Sequence, residues 1–178
     1  MAKFEKVSRF NKKRLKMPVR KTEHAAGYDF AAAEECIIPS FFELKDKLRV
    51  YKTRDHSPIS LDIMASRTKE AEAKFSLIPT GVKCYLEDDQ YLELSIRSSS
   101  PLKYWIVLAN GVGIIDKDYA DNPDNEGEIF FQVINLSPFP IKISKGDIIG
   151  QGIIRRYEKT EDDVPGGKRK GGFGSTTK

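Results

Sequence analysis

The chain has 178 residues, 39% of them hydrophobic, and a formal net charge of +4 at pH 7. This length predicts one domain with a sizeable core, and so mild a charge does not by itself indicate a nucleic-acid-binding protein. The sequence has neither the roughly 18 consecutive apolar residues of a membrane span nor an apolar run of signal-peptide length at its basic N-terminus. We therefore expect a cytoplasmic protein without a membrane segment or stable nucleic-acid binding.

The cysteines and histidines argue against a structural zinc site. Cys36 and Cys84 lie in apolar, strand-like surroundings, which predicts reduced core residues. His24 and His56 have no cysteine or carboxylate at metal-ligand spacing.

Apolar and polar residues alternate over several short segments, a pattern typical of half-buried strands. The predicted strands lie at residues 76–87 (two strands broken at 79–81), 91–96, 128–136 and 148–157. Their apolar faces carry Leu92, Leu94 and Ile96 in the second segment, and Ile129, Phe131 and Val133 in the third. Because proline, glycine and asparagine separate these segments, the sequence predicts an all-β barrel or sandwich.

Two segments interrupt this rhythm. Residues 41–75 carry charge and helix formers such as "TKEAEAK", which predicts an excursion with a helical turn or two. Residues 158–178 are polar and glycine-rich, and we expect them to be disordered in isolation. The chain is thus divided into a β-barrel domain at 1–157 and a flexible arm at 158–178.

The segment "LANGVGIIDKDYADNPDNEGEI" (108–129) is a candidate ligand site. Its glycines at 111 and 113 allow tight bends and close approach of a ligand to the backbone. A backbone edge offers N–H and C=O groups side by side, so it can recognise a base edge that carries a donor beside an acceptor. Asp116 is then a candidate general base. The alternative is a β-hairpin with solvated acidic side chains.

Three further segments carry polar groups at strand ends. In "IRSSSPLK" (96–103), Arg97 and the serines suit an anion, although a serine-rich surface turn is the alternative. Asp29 lies in an apolar strand and needs a partner, which could be water, a metal or the arginine, unless it is an ordinary turn residue. Gln151 either points into a site or is a satisfied strand glutamine.

The arm ends in "KRKGGFGSTTK", in which Phe173 has nothing apolar around it to bury against. No Gly-Lys-Ser/Thr follows the glycines, so the segment is not a P-loop.

Five motifs, taken together and in order, resemble those of the trimeric dUTPase (dUTP pyrophosphatase) family. They are "AGYDF" (26–30), "RSSSPLK" (97–103), "NGVGIIDKDY" (110–119), "KGDIIGQGI" (145–153) and "GGFGST" (171–176). The additional "NPDNEG" (122–127) is similar to a subgroup found in phages and Gram-positive bacteria.

The resemblance implies a β-barrel like a jelly roll and a homotrimer in which three subunits share each active site. It implies hydrolysis of dUTP to dUMP and pyrophosphate, with Mg²⁺ bound to the triphosphate. That reaction limits uracil in DNA and supplies dUMP for dTMP synthesis.

The resemblance also implies a role for each motif residue. Asp116 would activate the water that attacks the α-phosphorus, and Tyr119 would pack under the deoxyribose. The uracil edge would be read by Asn110 and the backbone of Gly113, Ile114 and Ile115. The phosphates would be held by Arg97, Ser98 and Ser99, with Gln151 near the α-phosphate. No direct protein ligand of Mg²⁺ is expected, because phosphate oxygens and water would hold the ion. Asp29 would contact these ligands and not the ion itself.

The arm is implied to close over a neighbouring subunit's site. There Phe173 would stack on uracil, Gly174 would let the backbone wrap closely, and Ser175 and Thr176 would meet the β- and γ-phosphates. The sequence departs from the family at three points, the first of which is that residues 41–75 are longer than the usual connection. Ser99 takes the place of the glycine that commonly follows "RS", and the arm's arginine must be chosen among Lys168, Arg169 and Lys170, of which we favour Arg169.

Two other functions fit part of this sequence. A dCTP deaminase-like or bifunctional enzyme has the same fold and trimer, but the complete "NGVGIIDKDY" and "GGFGST" motifs favour pyrophosphate release. A phage-type binding module would use residues 41–75 to contact a regulatory protein partner that the sequence does not identify.

Overall fold

A computed structural model of the chain describes residues 1–44, 48–50, 63–65, 77–164, 166–167, 169 and 171–172. β-strands dominate this part of the chain. They are β1 (Lys3–Lys6), β2 (Tyr28–Ala31), β3 (Cys36–Ile38), β4 (Leu48–Val50), β5 (Ile63–Ala65), β6 (Leu77–Pro79), β7 (Val82–Tyr85), β8 (Gln90–Ile96), β9 (Ile106–Leu108), β10 (Gly113–Asp116), β11 (Phe130–Asn135), β12 (Ile141–Ile143) and β13 (Ile148–Arg156). Short helices are α1 (Phe41–Leu44), α2 (Ser99–Tyr104) and the 3-10 turns Ser8–Phe10 and Lys117–Tyr119.

The strands form small antiparallel sheets. The largest has the order β10-β8-β13-β2, and a second has the order β6-β11-β9. Three strand pairs complete the set: β1 with β7, β3 with β12, and β4 with β5. This architecture confirms the predicted all-β class, and the four strand segments predicted from alternation all lie where the sequence placed them.

The core lies between the sheets. The apolar faces predicted for the second and third strand segments are buried at Leu92, Leu94, Ile129, Phe131 and Val133. Ile96, at the end of β8, is only half-buried. Period-two alternation was therefore sufficient to assign the inward faces of β8 and β11.

Two glycines let β13 lie directly on the aromatic core. A Cβ atom at Gly150 would lie 2.1 Å from Cε1 of Phe131, and one at Gly152 would lie 2.8 Å from Cε2 of Phe30. Both rings are fully buried, so no larger residue fits at either glycine. Because side chains alternate along a strand, Gln151 between them points away from this core.

The excursion at 41–75 begins with the single helical turn α1 and contains the antiparallel pair β4 and β5. The helical turn agrees with the prediction. The strand pair was not predicted, because the segment is rich in charged residues and each of its two strands is only three residues long. The predicted helix former "TKEAEAK" (68–74) lies outside the described residues.

Both cysteines are free thiols; Cys84 is a buried core residue as predicted, whereas Cys36 is only half-buried. Cys84 is buried, and its burial raises the pKa of the thiol to about 12. Among the helices that the structure describes, none has the length and apolar character needed to cross a membrane.

A polar network connects the N-terminal segment to residues 120–127, which we call the 120–127 loop. The Ser8 hydroxyl and N–H donate to Oε2 of Glu126 at 2.5 and 2.9 Å. The Lys83 ammonium donates to Oε1 of Glu126 at 3.0 Å and to Asp121 at 2.5 Å. The Ser8 hydrogen bonds, followed by that of Lys83, lower the pKa of Glu126 to about 2.

This network predicts acid-dependent stability. The folded-state pKa of Glu126 lies below its unfolded value, so the contribution is present above about pH 4.5 and is lost as the pH falls toward 2. Glu126→Gln should lower the free energy of unfolding at pH 7 by about 1 kcal/mol, allowing for partial exposure, and should flatten the loss between pH 4.5 and 2. Urea unfolding at several pH values measures both. Glu161→Gln, an exposed change in the arm, is the control, and an acid profile of Glu126→Gln that matches wild type would contradict the assignment.

Candidate active site

The residues predicted to form the site lie beside opposite ends of β8. The Cα of Asp116 pairs with that of Tyr91, near the start of β8. Arg97 follows the end of β8, six residues later. At about 3.3 Å per residue the two positions are roughly 20 Å apart. Within one chain, therefore, the candidate base and the candidate phosphate-binding residues do not meet.

The Arg97 end is a basic cleft of about 340 Å³. Arg97 and Lys103 bring positive charge to its wall, Lys142 lies there with its ammonium paired to Glu35 at 2.8 Å, and Ser99 and Ser100 bring hydroxyl groups. Guanidinium, ammonium and hydroxyl donors around a concave surface suit phosphate oxygens. Ser98 is exposed on the same turn.

Sequence reasoning missed two of these cations. Lys103 belongs to the quoted "RSSSPLK" motif, but no role was assigned to it. Lys142 comes from β12, and the fold brings it to the cleft without any spacing in the sequence that would have shown it.

Asp29 and Gln151 lie on the same face of the sheet as Arg97. The Cα of Gln151 pairs with those of Asp29 on β2 and Ser95 on β8. Directly opposed residues of antiparallel strands share a face, and Arg97 is two residues beyond Ser95. Gly27 leaves room for the amide, because a Cβ there would lie 2.8 Å from Oε1 of Gln151. Three of the predicted motifs thus converge at this end.

The Asp116 end is built on an edge strand. β10 pairs with β8 on one side, and no strand in the described part of the chain pairs with its other side. Gly113 and Ile115 face the core, whereas Ile114 and Asp116 are exposed. The backbone of β10 thus has the free edge that the sequence predicted for base recognition. Asn110 is exposed on the turn that leads into this strand.

Two tyrosines missed by the sequence reading flank the carboxylate. Tyr91 and Tyr157 line a shallow pocket of about 250 Å³ with Ile114 and Asp116. Tyr91 reaches this position through the β8 pairing, and Tyr157 follows β13 in sequence.

The Tyr119 side chain is more deeply buried than its predicted contact with a sugar would require. Its side chain is only 6% exposed and belongs to the core. Its hydroxyl donates to the Glu128 carbonyl at 3.0 Å and accepts from Nδ2 of Asn125 at 2.7 Å. Burial raises the pKa of this phenol, which therefore stays protonated at neutral pH. Its predicted contact with deoxyribose stays a prediction.

Part of the arm docks on the Asp116 segment of its own chain. The guanidinium of Arg169 donates to Oδ2 of Asp116 at 2.6 Å and to Oδ1 of Asp118 at 2.8 Å. Its carbon lies 5.6 Å from the ring centroid of Tyr119, and Gly171 and Gly172 are buried. These three residues thus have contacts with the rest of the chain, and the expectation that the arm is disordered in isolation stays a prediction.

The remaining arm predictions are not tested here. Phe173, Gly174, Ser175 and Thr176 lie outside the described residues, as do Lys168 and Lys170. The crossing of the arm to a neighbouring subunit also stays a prediction, because the structure is that of a single chain.

Comparison with known proteins places these features in a family. The dUTPase family model matches residues 46–177. Deoxyuridine 5'-triphosphate nucleotidohydrolase of Lactococcus lactis is 37% identical over 175 residues, which cover 97% of this chain and 95% of the relative. The protein of that name from Neisseria meningitidis is 32% identical over 142 residues, covering 75% of this chain and 89% of the relative. The chain belongs to the dUTPase family.

Solved structures agree on the fold. The crystal structure of dUTPase from Streptococcus mutans is 32% identical, covers 89% of this chain and 98% of that chain, and superposes with a TM-score of 0.66. The dUTPase from phage phi11 of S. aureus, at 16% identity, has the same fold with a TM-score of 0.61 over 94% of this chain and 97% of that chain.

The docked arm gives a testable prediction. Arg169→Met removes both ionic contacts, so chymotrypsin should cleave after Phe173 about 2- to 5-fold faster in the nucleotide-free protein, the effect of roughly 0.5–1 kcal/mol. Cleavage is followed by mass spectrometry at low salt, where the ion pairs are strongest. Lys159→Met is the control, because Lys159 is exposed and has no ion pair within the described residues. Equal cleavage rates in all three proteins would show that Arg169 does not hold the arm.

Proposed function

We propose that the protein is a dUTP diphosphatase that hydrolyses dUTP to dUMP and pyrophosphate, limiting uracil in DNA and supplying dUMP for dTMP synthesis. The observation that carries the proposal is the position of Asp116, an exposed carboxylate at the end of a strand whose outer edge has no partner strand among the described residues. Membership of the dUTPase family supports it, as does the basic cleft that contains Arg97.

In the proposed reaction, a water molecule attacks the α-phosphorus of dUTP while Asp116 accepts its proton. The bond from the α-phosphorus to the oxygen that bridges to the β-phosphorus breaks, and pyrophosphate leaves. In the free chain, Arg169 neutralises Asp116 at 2.6 Å. A triphosphate offers this guanidinium competing oxygen acceptors, so its binding would release the carboxylate to act as the base.

Specificity is proposed to come from the elements around Asp116. The turn at Asn110 and the backbone of 113–115 would read the uracil edge, and Tyr119 would pack against the sugar. Phe173 would stack on the base while Ser175 and Thr176 bind the outer phosphates. At the other end of the sheet, Arg97, Ser98, Ser99 and Gln151 would hold the remaining phosphate oxygens.

Magnesium is proposed to come with the nucleotide. The cleft presents three cations and two hydroxyls, together with Asp147, and Asp29 lies on the same face of the sheet. This donor set fits a metal held mainly by phosphate oxygens and water, for which Asp29 would orient bound water. When bound, the ion would offset the charge of the triphosphate and fix its geometry. The fold neighbour from phage phi11 is described with a structural Mg(II) ion.

The site is proposed to form between subunits of a homotrimer. Roughly 20 Å separates Asp116 from Arg97 along β8, which is more than the reach of a single triphosphate and its nucleoside sugar. Large apolar side chains are also exposed on the single chain, notably Trp105 at 62% and Phe139 at 72%. Such surface is typical of protein interfaces. A neighbouring subunit would bring its Arg97 cleft to the Asp116 of the first.

We expect Asp116→Asn to bind dUTP but to lose about 10²- to 10⁴-fold in turnover, because the amide cannot accept the proton. Pyrophosphate release from dUTP measures this, with dCTP, dTTP and UTP as comparison substrates. Ammonia release from dCTP would indicate a deaminase instead. Asp118→Asn is the matched control, since it removes the charge from an Arg169 contact but leaves the base, and it should lose much less. An Asp116→Asn variant with more than about a tenth of wild-type turnover would exclude Asp116 as the base.

Sharing of the site between subunits predicts complementation. Homotrimers of Asp116→Asn or Arg97→Ala should each be nearly inactive. When the two are refolded together, one subunit supplies Asp116 and another supplies Arg97, so about a quarter of the sites become complete by random mixing. Mixing Arg97→Ala with the Asp116→Asn/Arg97→Ala double variant is the control, because no subunit then supplies Arg97. Absence of recovery in the first mixture, or a monomer mass by light scattering, would contradict the shared site.

A further inference from the structure

The 120–127 loop is organised by one buried asparagine. Nδ2 of Asn122 donates to the Tyr119 carbonyl at 2.8 Å and to Oδ1 of Asn125 at 2.7 Å. Its Oδ1 accepts from the backbone N–H groups of Asp124 and Asn125 at 3.1 and 3.2 Å. Because Asn122 is only 6% exposed, these bonds are shielded from water and fix the loop beside Tyr119.

Asn125 holds the Tyr119 hydroxyl in place. Its Nδ2 donates to that hydroxyl at 2.7 Å, while the hydroxyl donates to the Glu128 carbonyl. Oδ1 of Asn125 accepts from Asn122 and from the Gly127 N–H. Asn125 thus holds the Tyr119 hydroxyl through its Nδ2, while hydrogen bonds to its Oδ1 fix the orientation of the Asn125 amide.

The arm docks on the same loop. The Gly172 N–H donates to Oδ2 of Asp124 at 2.7 Å. A Cβ at Gly172 would lie 3.3 Å from Nδ2 of Asn125 and 3.6 Å from Oδ1 of Asn122, so the glycine backbone lies directly against both amides. Asn125 therefore lies between the arm and the Tyr119 hydroxyl.

From this arrangement we propose that the 120–127 loop is the docking site of the arm and that Asn125 is a positioning residue that couples the docked arm to Tyr119, and so to the rejection of ribonucleotides. The loop comes from the "NPDNEG" segment, which the proposed reaction does not otherwise use. Asp124 holds the arm and Asn125 transmits its position to the ring. The selectivity part of this proposal rests on the proposed dUTP hydrolysis, whereas the docking part does not.

Docking is tested without any activity. Asp124→Ala removes the acceptor of the Gly172 N–H, so chymotrypsin should cleave after Phe173 about 3- to 10-fold faster in the nucleotide-free protein. Asp124→Asn keeps an acceptor oxygen and should stay near the wild-type rate. Glu23→Ala, an exposed change elsewhere, is the control. A wild-type rate for Asp124→Ala, at an unchanged melting temperature, would overturn the docking site.

Coupling to Tyr119 is tested by a double-mutant cycle on the ratio of kcat/KM for dUTP to that for UTP. Asn125→Ala and Tyr119→Phe should each lower this ratio about 3- to 10-fold, and the double variant should lower it by less than the product of the two effects, because both remove the hydrogen bond between Asn125 and Tyr119. Additive effects, or a ratio unchanged by Asn125→Ala, would overturn the coupling. Asn125→Asp, of the same size but without the donor, gives the same comparison if Asn125→Ala does not fold. If the wild-type protein did not hydrolyse dUTP at all, the proposed function would be refuted and the docking result would still stand.

Discussion

The packing of β13 on the aromatic core determines which face of the four-stranded sheet carries Asp29, Arg97 and Gln151. Gly150 and Gly152 let the strand rest on Phe131 and Phe30, and this close contact fixes which face of the four-stranded sheet is inside. Since side chains alternate along a strand, Gln151 faces outward. Asp29 and Ser95, which pair with it on the neighbouring strands, therefore face outward too. A register shift of one residue would turn all of these polar groups into the core and expose the apolar face, so the glycines specify the site as much as they specify the fold.

The outer face that results is divided between two kinds of chemistry. At the Arg97 end, cations and hydroxyls surround a cleft suited to phosphate. At the Asp116 end, carboxylates and a free strand edge lie beside the docked arm. Opposite charges at a distance of roughly 20 Å on one rigid sheet cannot neutralise each other. Complementary ends of this kind fit the proposed homotrimer, in which each carboxylate would meet a neighbour's basic cleft.

The sequence predicted β6, β7, β8, β11 and β13 and the inward faces of β8 and β11, because alternation is a local property. It did not predict Lys142, since that residue reaches the cleft only through the fold. Nor did it predict the enclosure of Tyr119, because the hydrogen bond from Asn125 depends on how the 120–127 loop turns back. The strand pair β4 and β5 was missed for a different reason: short strands in a charged segment have too few residues to establish a period.

The docked arm has the energetics of a lid. Ordering each residue costs roughly 1–2 kcal/mol in backbone entropy, and glycines cost the most, so a few hydrogen bonds and ion pairs hold the arm only weakly. A contact that weak releases readily, which entry and exit of a nucleotide require. The arm's guanidinium lies on Asp116 and Asp118, and its Gly172 lies on Asp124. In the proposed reaction, an incoming triphosphate would compete for the guanidinium, whereas the Gly172 N–H contact with Asp124 involves no cation and would stay intact. On the proposed function, the arm would exchange its ionic partner without leaving the loop, and the 120–127 loop would be the pivot about which it closes.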